Sequence, residues 1–185
     1  YEIMPSLVGS EMCIRDRFIA EPIVGATAAA LVPPKEYYSI IREICDKYDI
    51  VMIMDEIMTG FGRTGKNFAI EHWNIVPDII AFAKGVSGGY VPLGGIVAKN
   101  KFYQKIKDNS GSFLGGYTYG GNPLSTAVGT AVLNHILENN LVSRVEEMGK
   151  YFFSKLEILF KHPTVGDIRG KGLMIGIEFV KNKKT

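Results

Sequence analysis

Short apolar runs and stretches of helical period alternate along the chain. The runs Ile50-Val51-Met52-Ile53-Met54 and Ile79-Ile80-Ala81-Phe82-Ala83 predict two strands, and residues 17–21 and 94–98 predict two more. Between the first pair of strands, residues 34–48 have the spacing of an amphipathic helix introduced by two prolines. Residues 122–137 predict a long helix, with Asn122 as N-cap and Pro123 at the first helical position. From Leu141 onward, Val142, Val145, Met148, Phe152 and Leu156 recur at helical spacing, ahead of a final strand at 172–180. Strands that alternate with helices predict an α/β fold whose sheet is mostly parallel and whose crossovers are helical.

Two strand ends carry chemistry. Asp55 closes the run at 50–54 and Lys84 closes the run at 79–83, so a carboxylate and an amine reach one edge of the sheet. A pyridoxal phosphate enzyme needs this pair. Lysine forms a Schiff base with the cofactor aldehyde, and an aspartate beside the pyridine nitrogen keeps it protonated, so that the ring accepts electrons from a carbanion. The apolar strand before Lys84 predicts a buried amine, which is easier to deprotonate, and the flexible Gly85-Val86-Ser87-Gly88-Gly89 follows it. Single aspartates and lysines are common at strand ends, so these two residues alone leave a structural role open.

The glycine patterns also resemble nucleotide sites. Gly60-Phe61-Gly62-Arg63-Thr64-Gly65 fits G-x-G-x-x-G, and its extension to Lys66 fits most of a P-loop. A P-loop requires Ser or Thr after the lysine to hold magnesium, and position 67 is Asn. A dinucleotide fingerprint turns directly from strand to helix, whereas Glu56-Ile57-Met58-Thr59 intervenes after Asp55. Context argues against both nucleotide readings.

Five ordered blocks make the pyridoxal phosphate reading specific. They are Ala20-Glu21-Pro22-Ile23-Val24-Gly25, the stretch from Asp55 through Gly65, Ala83-Lys84-Gly85, Thr118-Tyr119-Gly120-Gly121-Asn122-Pro123-Leu124, and Arg169-Gly170-Lys171-Gly172-Leu173-Met174-Ile175-Gly176-Ile177-Glu178. In this order they resemble the class III (omega-type) aminotransferases, from about Phe18 to the end of the chain. The resemblance implies a fold-type I pyridoxal-phosphate-dependent transferase. Residues 18–138 would be the C-terminal half of its large cofactor-binding domain, and 139–185 the beginning of a smaller α+β domain.

Lys84 matches the family's Schiff-base lysine and Asp55 the partner of the pyridine nitrogen. Ile57 matches the residue packed on one ring face. Thr118 matches a hydroxyl that reaches the cofactor phosphate of the partner subunit, which implies a homodimer. Glu21 resembles a glutamate near the substrate entrance that pairs with a movable arginine, and that arginine lies beyond the end of this chain. Met58 stands where many relatives carry a glutamine that contacts the ring hydroxyl. Arg63 and Arg169 lie in glycine-rich turns, where arginine more often ties loops or subunits together, so neither receives a catalytic role.

The implied reaction is ping-pong transfer of an amino group from an amino acid or amine to a 2-oxo acid. A glutamate-semialdehyde-type aminomutase is the alternative within the cofactor class, disfavoured by Gly-Phe-Gly-Arg-Thr-Gly, and an ATPase-like nucleotide-binding module is the alternative outside it. The 185 residues are 46% hydrophobic with a formal net charge of +2, enough for a core and too little basicity to suggest nucleic acid. Apolar runs are too short to span a membrane, no secretory signal is legible, and Cys13 and Cys45 make no disulfide framework, which together predict a cytoplasmic protein.

The ends are unlike the family. Gly9-Ser10-Glu11 mimics the start of the family's phosphate loop but lies far too close to Glu21. Residues 6–17 resemble a translated sequencing adapter, so residues 1–17 are expected to be a foreign leader and the remainder a fragment that stops inside the small domain.

Overall fold

Strand β2 (Val51–Asp55) organises the core. Its side chains alternate between half-buried and buried, so that Met52 and Met54 point into the interior. Helix α1 (Tyr37–Lys47) covers that face with Tyr38 and Cys45. Tyr38 meets Trp73 edge-on with ring centroids 5.0 Å apart, and Trp73 Nε1 donates to the Pro34 carbonyl at 3.1 Å. These contacts join α1 to a 3₁₀ turn (Ala69–Trp73) that brings Ala69 and Ile70 into the same cluster. A computed structural model provides these coordinates and describes residues 16–113 and 115–183. The expected leader therefore lies outside the described residues except for Asp16 and Arg17.

Strands β1 (Arg17–Ala20), β2 and β3 (Ile79–Phe82) run parallel, and β4 (Gly95–Ala98) adds an antiparallel edge, in the order β1-β2-β3-β4. The mostly parallel α/β expectation holds, and β4 is the exception. β4 returns antiparallel after a connection, residues 83–94, that includes a 3₁₀ turn at Lys84–Ser87 and reverses the chain direction.

Helix α2 (Asn100–Asn109) follows β4 and buries no residue; Phe102 and Ile106, spaced one turn apart, are half-buried. Helix α3 (Pro123–Glu138) starts where expected. Asn122 Oδ1 accepts from the N–H groups of Leu124 (3.0 Å) and Ser125 (3.1 Å), and Pro123 takes the first position, where an N–H would have no partner.

Helix α4 (Leu141–Leu156) leads to a hairpin of β5 (Val165–Lys171) and β6 (Met174–Phe179). β5 lacks an apolar alternation in the sequence, because Gly166, Asp167, Arg169, Gly170 and Lys171 interrupt it, and pairing with β6 is what forms it. The hairpin docks by close backbone approach. A Cβ on Gly176 would fall 1.9 Å from the Ala29 carbonyl oxygen, and one on Gly172 would fall 2.5 Å from the Thr64 carbonyl carbon. Leu173 N donates to the Arg63 carbonyl at 3.1 Å, and Arg169 Nη2 donates to the Ala28 carbonyl at 3.0 Å. The hairpin is thereby fastened to the loops that leave β1 and β2.

Candidate active site

Three parallel strands end at one edge. Ala20 pairs in register with Met54, and Asp55 pairs with Ala81. Glu21 therefore leaves β1 at the level where Asp55 closes β2, and Lys84 follows three residues after Ala81. Ligands of open α/β sheets bind at this carboxyl edge. The fold brings the ends of the three strands that carry Glu21, Asp55 and Lys84 to one edge, and of the three only Lys84 lines the neighbouring cleft.

The Asp55 side chain is held by its own loop. Oδ1 accepts the Ile57 N–H at 3.0 Å, an aspartate turn that aims the chain away from the sheet. Oδ2 has no hydrogen-bond partner among the described residues. Ile57 follows directly and is half-buried.

Lys84 departs from expectation in one respect. β3 stops at Phe82, and Lys84 opens a 3₁₀ turn (Lys84–Ser87) with φ of +45° after the extended Ala83. The left-handed step turns the chain out of the sheet, so the side chain is exposed rather than buried. A non-glycine residue in that region is a strained conformation that surrounding contacts must hold, and such residues concentrate at functional sites. The amine makes no hydrogen bond or ion pair among the described residues. It borders a cleft of about 1130 Å³ that also receives Met58, Arg63, Tyr90 and His135.

Glu21 is engaged locally. Oε2 accepts the Gly25 N–H at 2.9 Å, and the Glu21 carbonyl accepts the Tyr38 hydroxyl at 2.7 Å. Met58 fills the space in front of Gly25, where a Cβ would lie 2.7 Å from its sulfur and 3.0 Å from Glu21 Oε2. Met58 thus spans from the Glu21 turn to the Lys84 cleft. Thr118 lies apart, exposed in the turn ahead of α3 beside the exposed Tyr117 and Tyr119, and does not border the cleft.

Sequence reasoning passed over two buried carboxylates. Glu56 is 0% exposed and accepts from the Thr59 hydroxyl, from Ala69 N (2.9 Å) and from Ile70 N (2.9 Å). Burial pushes its carboxyl above the usual range, against those three donors. It bolts the loop after Asp55 to the 3₁₀ turn at Ala69–Trp73. Its signal was a glutamate beside an apolar strand with a threonine three residues on.

Asp78 is the other. It accepts from Met52 N (3.0 Å) and Arg42 Nη1 (2.9 Å) and pairs with Lys99 (3.0 Å) and Lys101 (3.2 Å). Burial pushes this carboxyl up, but the Met52 N–H and the cations outweigh it and hold it well below the usual carboxylate range. Its partners are scattered in sequence, so no local pattern could have revealed it.

The glycine loop at 60–65 is occupied by protein. Positions where side chains would stand on Gly62 and Gly65 face Val142 Cγ2 at 3.2 Å and Glu146 Cβ at 3.1 Å, both on α4. The glycines permit close docking rather than a phosphate cradle, which removes the structural basis of the nucleotide reading. Arg169 lies within β5 rather than in a turn; it pairs with Asp167 and Glu178 of the hairpin and ties the hairpin to the loop after β1 through the Ala28 carbonyl. Among the described residues there is no metal-binding cluster, and no helix is long and apolar enough to cross a membrane.

Residues 17–185 match the family model described as aminotransferase class-III. An uncharacterized aminotransferase of Bacillus subtilis, YodT, is 42% identical over 169 residues, which cover 91% of this chain and 38% of the relative. A putrescine–pyruvate aminotransferase of Pseudomonas aeruginosa is 41% identical over 169 residues, covering 91% and 37%. The solved structure of a taurine:2-oxoglutarate aminotransferase from Bifidobacterium kashiwanohense, in complex with pyridoxal phosphate and glutamate, superposes with a TM-score of 0.87 at 42% identity, covering 91% of this chain and 37% of that one. The chain spans under two-fifths of the length of these relatives.

Proposed function

The chain belongs to the class-III aminotransferase family, and on that premise we propose that the intact protein uses pyridoxal phosphate to move an amino group from an amino acid or amine to a 2-oxo acid. The observation that carries the reading is the shared strand edge. Asp55 Oδ2 and the Lys84 amine, neither with a hydrogen-bond partner among the described residues, leave neighbouring parallel strands, and Glu21 leaves the third. The cofactor needs a lysine for its aldehyde and an anion for its ring nitrogen, and this donor set fits both needs.

When bound, pyridoxal phosphate supplies an electron sink for the substrate carbon that loses a proton. Lys84 would hold the cofactor through its amine, and the same amine would carry a proton to and from the substrate as general base and acid. Asp55 Oδ2 keeps the ring nitrogen protonated while Oδ1 stays with Ile57. Ile57 packs its branched side chain on one ring face. Thr118 reaches the cofactor phosphate of the partner subunit, so the active unit is a homodimer. Thr118 lies exposed in the turn ahead of α3, where a hydroxyl is open to a second copy of the chain.

Glu21 stands at the substrate entrance, turned toward Gly25 within its own loop. Residues 18–138 belong to the large cofactor-binding domain and 139–185 begin the small one. The cytoplasm is the compartment we propose. The acceptor is a small 2-oxo acid, pyruvate or 2-oxoglutarate as named for the Pseudomonas and Bifidobacterium relatives.

The test is covalent mapping on the intact protein. Pyridoxal phosphate is added, borohydride fixes it, and peptide mass mapping locates the pyridoxyl group. Label on Lys84 supports the reading, and label elsewhere or nowhere overturns it. Donor and acceptor use one site in turn, so initial-rate lines at several acceptor concentrations run parallel, and intersecting lines count against ping-pong transfer.

A further inference from the structure

Lys84 holds a strained backbone step and needs something to hold it. Most of the restraint is main-chain: Val86 N donates to Ala83 O (3.3 Å), Gly88 N to Gly85 O (3.1 Å) and Tyr90 N to Ser87 O (3.1 Å). The side-chain clamp in the turn is Ser87. Its hydroxyl, in a residue only 2% exposed, donates to the Val91 carbonyl at 2.6 Å and is shared with the carbonyl of Lys84 itself at 3.4 Å. One buried hydroxyl thus closes residues 84–91 into a loop and grips the peptide unit that carries the lysine. Left-handed glycines follow at Gly88 and Gly89, so the segment beyond the clamp has little stiffness of its own.

We infer that Ser87 is a positioning residue for Lys84: its hydroxyl, bridging the Lys84 and Val91 carbonyls, keeps the left-handed turn that delivers the Lys84 amine to the cleft. This rests on the reading of Lys84 as the cofactor-bearing lysine. Without the hydroxyl, the Val91 carbonyl loses a short hydrogen bond inside the fold and the turn relaxes toward ordinary backbone angles. The amine then samples several directions, and a misplacement of even about 1 Å lowers a reaction rate by up to roughly a hundredfold.

The experiment uses the intact protein as wild type, Ser87→Ala, Ser87→Thr and Ser87→Cys, each stripped of cofactor and then mixed with pyridoxal phosphate. The readouts are the rate of covalent capture at Lys84, followed by absorbance and fixed with borohydride for peptide mapping, and the split between kcat and donor KM. Expected for Ser87→Ala is capture slowed at least about tenfold, with kcat reduced and KM nearly unchanged. Ser87→Thr, which keeps the hydroxyl, restores the capture rate. Should Ser87→Ala fail to fold, Ser87→Cys carries the test, since a thiol is a weak donor of nearly the same size. Capture at the wild-type rate in Ala or Cys, per folded molecule, overturns the inference. Absence of label on Lys84 in the wild type instead overturns the reading beneath it.

Discussion

Asp55 and Ile57 form one unit: the Ile57 N–H donates to Asp55 Oδ1 at 3.0 Å, so the residue proposed for the ring nitrogen also sets the backbone of the residue proposed for the ring face. The turn uses one carboxylate oxygen, the other has no hydrogen-bond partner among the described residues, and the turn and the role proposed for Asp55 can be separated by substitution.

Asp55→Asn keeps an oxygen that accepts from Ile57 and removes the charge. It is expected to melt within about 1 kcal/mol of wild type while kcat falls roughly 10²-fold or more, because a neutral amide does not hold a protonated ring nitrogen. Asp55→Ala loses the turn as well and should add about 1 kcal/mol of destabilisation. Thermal melting alongside steady-state rates distinguishes the two, and an Asn variant with wild-type kcat would remove Asp55 from the mechanism.

Glu56 is a stability residue next door. Glu56→Ala strands the Thr59 hydroxyl and the Ala69 and Ile70 N–H groups in the interior, at a cost of at least about 3 kcal/mol. Glu56→Gln offers one acceptor oxygen where both are in use and should be destabilising too. Denaturant titration checks both variants, and a loss below about 1 kcal/mol in each would contradict the network.

Asp78 sets an acid limit. Its carboxyl is held below its value in the unfolded chain, near 3.8, so its contribution is fully present above that pH and is lost as pH falls toward the lower folded value. Asp78→Asn is expected to cost about 3 kcal/mol at neutral pH, since Arg42 loses its buried partner. It should also flatten the dependence of stability on pH below about 4. Unfolding midpoints measured from pH 3 to 7 read both effects, and parallel curves for the two proteins would refute the assignment.

Gly176→Ala tests how the hairpin is attached. The added methyl would fall 1.9 Å from the Ala29 carbonyl oxygen, a backbone atom that cannot swing aside. The hairpin should shift off the Val24–Leu31 turn, with a loss of about 1–3 kcal/mol and faster proteolytic cutting in that turn. Unchanged melting and cutting would mean that the close approach does not exist in solution.

Much of this protein was readable before folding. Strands β1 to β4, helix α1, helix α3 with its Asn122-Pro123 start, and helix α4 follow from apolar runs, helical spacing and capping chemistry, all of which act within a few residues. Strand β5 was not readable, because its glycines and charges acquire a sheet only by pairing with β6. Helix α2 was passed over as well: its apolar positions are few, Phe102, Tyr103 and Ile106 among ten residues.

The candidate site divides the same way. The residue types of Asp55, Lys84 and Glu21, and their places at strand ends, are local facts that the sequence by itself determined. That these ends lie on one edge depends on the parallel register of β1, β2 and β3, and only the tertiary structure decided it. The same holds for the exposure and left-handed step of Lys84, for Met58 filling the space before Gly25, and for Asp78 gathering Met52, Arg42, Lys99 and Lys101. Propensity and capping act between neighbours in the chain, whereas register, burial and charge pairing depend on distances that exist only once remote segments have packed.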